Sequence, residues 1–291
     1  MTTLQLAQSW WAMTGLPYGA GTEIWSPEER MQRIAAAGFS AIHGGVRSAA
    51  DAITMAALLD RYELNYIGNV VVGPDDDLAL LCQHQVAAGA TLINLQLSPA
   101  YRSQAWNLTR AQLALEVGAR LGVQIMVETH RGRITQDPVR TLALVQEIPN
   151  LALTIDLSHY IVGSEGALDD PDFHALMDQL IARCGCIHGR ISNGHQVQVA
   201  LPDSTSVEEL AAHPLIAPFV SYWQRGMAQA MVAQRSTIPF VCELGPPPYA
   251  QVDGSGCEFS NRWSEALRLR ELGSYCFGLA CEMVEQSSKS I

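Results

Sequence analysis

With 291 residues, 48% of them apolar and 16% charged, the chain can bury a large core, and its length suits one barrel of roughly 250 residues plus insertions. A formal charge of -11, with no cluster of Lys and Arg, argues against a nucleic-acid partner. The opening Met-Thr-Thr-Leu-Gln-Leu-Ala-Gln lacks the basic region and apolar core of a secretion signal, and no apolar run approaches the roughly 20 residues of a membrane span, so the reading is cytoplasmic, with no membrane partner.

The run around Trp10, Trp11 and Met13 is taken as the first strand. Ser26-Pro-Glu-Glu then opens a helix through Ala37, since Pro is pre-set for the first helical position after a Ser cap. The chain alternates from there. A strand over 38–43 ends in His43, a helix covers 49–62, a strand 64–72, a helix 76–88, a strand 90–96 and a helix 109–121. A strand over 122–128 precedes a helix opened by Asp137-Pro, and a strand over 150–156 precedes one opened by Asp170-Pro-Asp. The last strands, 184–188 and 238–243, are followed by helices over 215–234 and 262–285. Ala37-Gly38, Ala88-Gly89 and Leu121-Gly122 read as left-handed helix ends.

Eight βα units in strict alternation demand a parallel α/β sheet, and their number favours a closed (β/α)8 TIM barrel forming a single domain over 1–291. Two long polar stretches break the rhythm, 189–214 with His195 and Gln198, and 245–261 with Tyr249; at the C-terminal mouth they would roof a site. Gly254-Ser-Gly256 is a weak phosphate-binding candidate, and Trp10, Trp11 and Met13 either wall the site or pack the core. The last helix carries Tyr275, Phe277, Leu279 and Met283, more apolar surface than one face against a barrel wall requires, which leaves room for a homodimer contact.

The chemistry concentrates in the last four strands. Glu128, Asp156, His188 and Glu243 each stand where an apolar run stops and a loop begins, so their side chains can meet at one end of the sheet and hold one divalent metal ion. Three carboxylates and an imidazole suit Mn, Mg, Co or Zn. Period-two alternation turns Met126, Thr154, Cys186 and Val241 the same way as the four ligands. The alternative is that each merely caps a strand end. Seven cysteines, an odd number without disulfide spacing, read as reduced, mostly buried thiols; Cys184 and Cys186 would both share the His188 face, as core or, less simply, as thiolate ligands. His130 and Arg131 follow Glu128 and either bind substrate oxygens or lie in a solvated loop, while Arg190 either neutralises an anionic substrate oxygen or bridges to Asp156 or Glu243.

The order Glu128, Asp156-Leu-Ser-His159, His188, Glu243 resembles the xylose isomerase-like TIM barrel superfamily, which includes sugar isomerases, epimerases, inosose dehydratases and endonuclease IV-type enzymes. The resemblance implies metal ligation by Glu128, Asp156, His188 and Glu243, and contact of His159 with a substrate oxygen. The chain departs from better-known members at Gly189-Arg190 after His188 and at His43, where many carry Glu. A metal-dependent isomerase or epimerase of a sugar-like polyhydroxy carbonyl compound is the expectation, with Glu128 and Glu243 moving the proton through a metal-stabilised enediolate. A dehydratase of an inosose-like ketone is the alternative, with an endonuclease IV-like phosphodiesterase behind it.

Overall fold

A computed structural model describes residues 2–18, 23–166 and 168–289. Strands β1 (Thr3–Ser9), β2 (Ala41–Gly44), β3 (Asn65–Val72), β4 (Leu92–Leu97), β5 (Gln124–Glu128), β6 (Ala152–Ile155), β7 (Cys184–Gly189) and β8 (Thr237–Cys242) pair in parallel in chain order, and β8 closes on β1. Around them lie α1 (Pro27–Ala36), α2 (Ala49–Arg61), α3 (Leu78–Ala87), α4 (Gln104–Leu121), α5 (Pro138–Glu147), α6 (Leu157–Gly163), α7 (Pro171–Ile181), α8 (Val207–Ala212), α9 (Ala217–Val232) and α10 (Arg262–Lys289). This is a single-domain (β/α)8 barrel.

The caps follow the sequence. Ser26 accepts from the Glu29 amide while Glu29 reaches back to the Ser26 amide, a reciprocal capping box, and Asp137 and Asp170 cap α5 and α7 ahead of their prolines. Gly122 ends α4 at φ +67°, in the left-handed region.

The first strand lies earlier than expected, because residues 11–13 form a 3-10 turn and β1 is Thr3–Ser9. Its inward face includes Gln5 as well as Ala7, so the apolar pattern that marks the other strands is diluted. Helix α4 begins at Gln104 on a Ser103 cap, five residues ahead of the expected start at 109, and the short helices α6 and α8 were not anticipated.

One apolar layer fills the barrel: Ala7, Ala41, Ile67, Leu92, Met126, Ala152, Cys186 and Val241. Two residues further along their strands, pointing the same way, come His43, Asn69, Asn94, Glu128, Thr154, His188 and Glu243. The interior thus turns from apolar to polar toward the C-terminal mouth. The expectation that Cys184 and Cys186 share a face fails. Leu153 pairs with Cys184 but Thr154 with Cys186, so Gly185 is an extra residue in β7, and Cys184 faces outward toward Gly226 of α9. Cys186 stays in the apolar layer beneath His188. Tyr275, Phe277 and Leu279 of α10 pack half-buried against the core. Among the described residues no helix is long and apolar enough to cross a membrane.

Candidate metal centre and substrate pocket

Glu128, Asp156, His188 and Glu243 converge at the mouth, each offering one ligand atom, all within 4.8 Å of one another. His188 is the hub. Its Nδ1 lies 2.9 Å from Glu243 Oε2, 3.8 Å from Glu128 Oε1 and 3.9 Å from Asp156 Oδ2, without hydrogen-bond alignment to any of them.

The capping alternative holds for half of each of two carboxylates. Asp156 Oδ1 accepts from the Ser158 amide at 3.1 Å and its hydroxyl at 2.5 Å, capping α6. Glu128 Oε2 accepts from Asn94 and from Gln96, the latter at 3.0 Å. The other oxygens, Asp156 Oδ2 and Glu128 Oε1, have no hydrogen-bond partner although wholly buried. Two satisfied oxygens orient the side chains and two orphaned oxygens face His188, a donor set that fits a divalent cation.

Electrostatics point the same way, since three buried carboxylates in one place require positive charge. Arg190 supplies one. Its Nε donates to the Glu243 carbonyl at 3.0 Å, and its Nη2 pairs with the Glu243 carboxylate and lies 3.4 Å from Asp156 Oδ2. The salt-bridge reading of Arg190 is therefore the geometry present. Burial pushes the Glu128 carboxyl up to about 7, with His188 opposing it. Burial also raises Asp156, partly offset by Arg190 and His188. For Glu243 burial is outweighed by His188 and Arg190, which hold it well below the carboxylate range. Burial alone would lower His188, but Glu243 and Glu128 keep its pKa well above an ordinary imidazole.

A cavity of about 250 Å³ opens over the cluster, lined by Trp11, Asn69, Val71, Gln96, His130, Arg133, Arg190, Glu243 and Tyr249. Tyr249 is its roof. Arg190 lies 4.8 Å and Arg131 5.2 Å from the Tyr249 ring centre, and its hydroxyl is 3.3 Å from His130 Nε2. Trp11 meets Tyr249 edge-on at 5.1 Å and lies so close over Gly245 that a Cβ there would overlap the indole.

His130 is buried and packs on His159 with ring centres 3.8 Å apart and planes tilted by 44°, whereas Arg131 is exposed. His159 is buried with both ring nitrogens unpartnered, and its Nε2 is 3.7 Å from Asp156 Oδ2. It separates the cluster from a larger groove of about 470 Å³ that includes Arg131, Asp137 and Tyr160. Burial holds His130 down near 3 and His159 well below the histidine range, so both are neutral imidazoles.

Of the loop candidates, Gln198 is buried and clasps the Gly245 backbone, donating at 3.0 Å and accepting at 2.8 Å, while His195 is exposed. The 189–214 stretch is thus tied to the β8 loop. At Gly254-Ser-Gly256 the Asp253 carboxylate already takes the Ser255 and Cys257 amides, which leaves little for a phosphate. Sequence reasoning passed over Asn94, Gln96 and Arg133. The signal for the amides was present in Leu92-Ile-Asn-Leu-Gln-Leu97, two amides at period two in an apolar strand. His43, buried with both nitrogens unpartnered, joins the cluster 4.0 Å from Glu243 Oε1.

Solved structures with the same (β/α)8 architecture include xylose isomerase-like TIM barrel proteins. A xylose isomerase-like TIM barrel protein from Mycobacterium smegmatis in complex with magnesium superposes with TM-score 0.60 at 10% identity, covering 96% of this chain and 97% of that one. A D-tagatose 3-epimerase-like protein gives 0.57 at 13% identity, over 98% and 99% of the two chains. A probable 3-DHS dehydratase from Bacillus anthracis gives 0.53 at 16%, over 94% and 98%. No family model matches the sequence, and no curated protein matches it significantly.

Proposed function

We propose that the protein is a metal-dependent isomerase or epimerase of a small polyhydroxy carbonyl compound, in which Glu128 and Glu243 exchange a proton with a substrate carbon. The observation that carries this reading is the convergence of two buried glutamates on His188 Nδ1, Glu243 at 2.9 Å and Glu128 at 3.8 Å, with Arg190 paired to Glu243 and not to Glu128. Carboxyl groups whose environments drive them apart suit the two halves of a proton transfer.

Glu128, Asp156, His188 and Glu243 would hold one Mn, Mg, Co or Zn ion. When bound, such an ion supplies Lewis acidity toward a substrate carbonyl and the charge that develops on it. Glu243, already ionised, takes the proton, and Glu128 returns it. Asn94 and Gln96 hold the Glu128 carboxyl in place through Oε2 and turn Oε1 to the cluster. Neutral His159, with an unpartnered Nε2, orients a substrate hydroxyl, and Trp11 and Tyr249 exclude water from above. The reduced thiols implied by the cysteine pattern accord with a cytoplasmic setting.

The test joins metal analysis of purified protein to turnover of a polyol-ketone panel in D₂O. Stoichiometric metal together with deuterium entering the carbon next to the carbonyl is expected; protein that takes up no divalent metal after supplementation overturns the reading. Loss of water is the second reading, favoured by neutral His159 beside the cluster, whose unpartnered ring nitrogens can hydrogen-bond a leaving hydroxyl. Product mass separates the two, because isomerisation conserves it.

A further inference from the structure

We infer that the substrate carries a carboxylate and that Arg133 binds it, so that the compound is a small sugar acid or keto acid rather than a neutral sugar. This rests on the proposed function for the position of the reacting end, but its evidence is separate.

Two guanidinium groups line the 250 Å³ cavity, Arg133 and Arg190. Their circumstances differ. Arg190 is wholly buried and its charge is taken by Asp156 and Glu243. Arg133 is half-buried and has no carboxylate within ion-pair distance among the described residues. Its neighbours are neutral carbonyls: Nε and Nη2 donate to Gln96 Oε1 at 3.2 and 3.0 Å, and Nη1 donates to the Gly132 carbonyl at 3.2 Å. Since a guanidinium has five N–H bonds, one on Nη1 and one on Nη2 remain for an anionic oxygen of a ligand.

Gln96 makes this charge hard to neutralise from within. Its amide donates to Glu128 Oε2 at 3.0 Å while its carbonyl holds Arg133, so a neutral side chain stands between the guanidinium and Glu128. The charge balance has one term left over. With a divalent ion in place, Glu128, Asp156 and Glu243 are offset by that ion and Arg190, and Arg133 remains positive at the cavity wall. A chain with net charge -11 that keeps one unpaired cation in its cavity is selecting for an anion there. At about 250 Å³ the cavity is smaller than the roughly 300–1,000 Å³ usual for ligand sites, which favours a compact acid over a sugar phosphate.

The test is calorimetric binding to metal-loaded protein, which needs no turnover. D-gluconate, D-glucuronate and 2-keto-D-gluconate are compared with D-glucitol, D-glucose and D-fructose, and with D-glucose 6-phosphate. The acids are expected to bind roughly tenfold to a hundredfold tighter than their neutral partners, as a charge-assisted hydrogen bond is worth. Arg133→Gln should abolish that preference by weakening the acids far more than their neutral partners, and Arg133→Lys should keep part of the preference. If no acid binds better than its neutral partner, or if Arg133→Gln weakens acids and neutral compounds alike, the assignment is overturned; tighter binding of the phosphate ester than of every acid also overturns it. Absence of deuterium exchange in the metal-loaded protein would sink the catalytic reading while leaving this comparison intact.

Discussion

Asp156 and His159 stand one helical turn apart at the start of α6, and their atoms divide the work. Asp156 uses Oδ1 to cap the helix and turns Oδ2 to the cluster, whereas His159 makes no hydrogen bond and borders the outer groove. Asp156→Ala is therefore expected to lower metal content, measured by elemental analysis. His159→Ala should retain the metal and raise KM, and equal metal loss in both variants would make His159 a ligand. Glu243→Gln should reduce kcat by about 10²–10⁴, because the amide cannot take the proton, and circular dichroism should confirm that it still folds. The positions of Glu128, Asp156, His188 and Glu243 were legible because each ends an apolar run. Asn94, Gln96 and Arg133 were harder to see, since hydrogen bonds between strands that are distant in sequence give them their meaning.

Helix ends and the glycines near them decide much of the barrel's regularity. Gly122 closes α4 at φ +67°, and a Cβ there would meet nothing within 4 Å, so any penalty for a side chain is conformational alone. Gly122→Ala should cost about 1–2 kcal/mol, read as a lower urea midpoint. Gly278 is the opposite case. It lies exposed inside α10 with open space around it, and Gly278→Ala should stabilise by about 1 kcal/mol. The two changes are chemically identical and of opposite sign. At this scale the helices with Pro after a cap and Gly at the end were legible. The bulge at Gly185 was not, because period-two reasoning assumes a regular strand, and one inserted residue turned Cys184 outward while leaving Cys186 and His188 inside. The start of α4 was missed where Trp106 and Asn107 obscure the helical period, although Ser103 supplied a cap.

The closed barrel gathers three carboxylates at one mouth, an arrangement that costs stability until a cation neutralises it. Alternation of strands and helices made the closure legible, and the fold follows from it, but the balance of charge inside the mouth needs Arg190 and His188 in place to be read. On the proposed metal reading, that balance makes global stability depend on metal. Metal that binds the folded chain at one hundred times its Kd should add about 2.7 kcal/mol, a rise of roughly 4–5 °C in Tm for a domain of this size. Glu128→Gln separates this effect from ordinary damage. The amide oxygen can still accept from Asn94 and Gln96, and the carboxyl it replaces is the one that burial pushes up to about 7. In chelator the variant should therefore melt at or above the wild-type temperature, because a neutral amide is cheaper to bury than that carboxylate. In saturating Mn²⁺ it should melt below wild type, having lost one ligand. The two melting curves should thus change order between the two conditions. A variant less stable than wild type by the same amount in both would mean that Glu128 supports the barrel mouth without bearing on the cation.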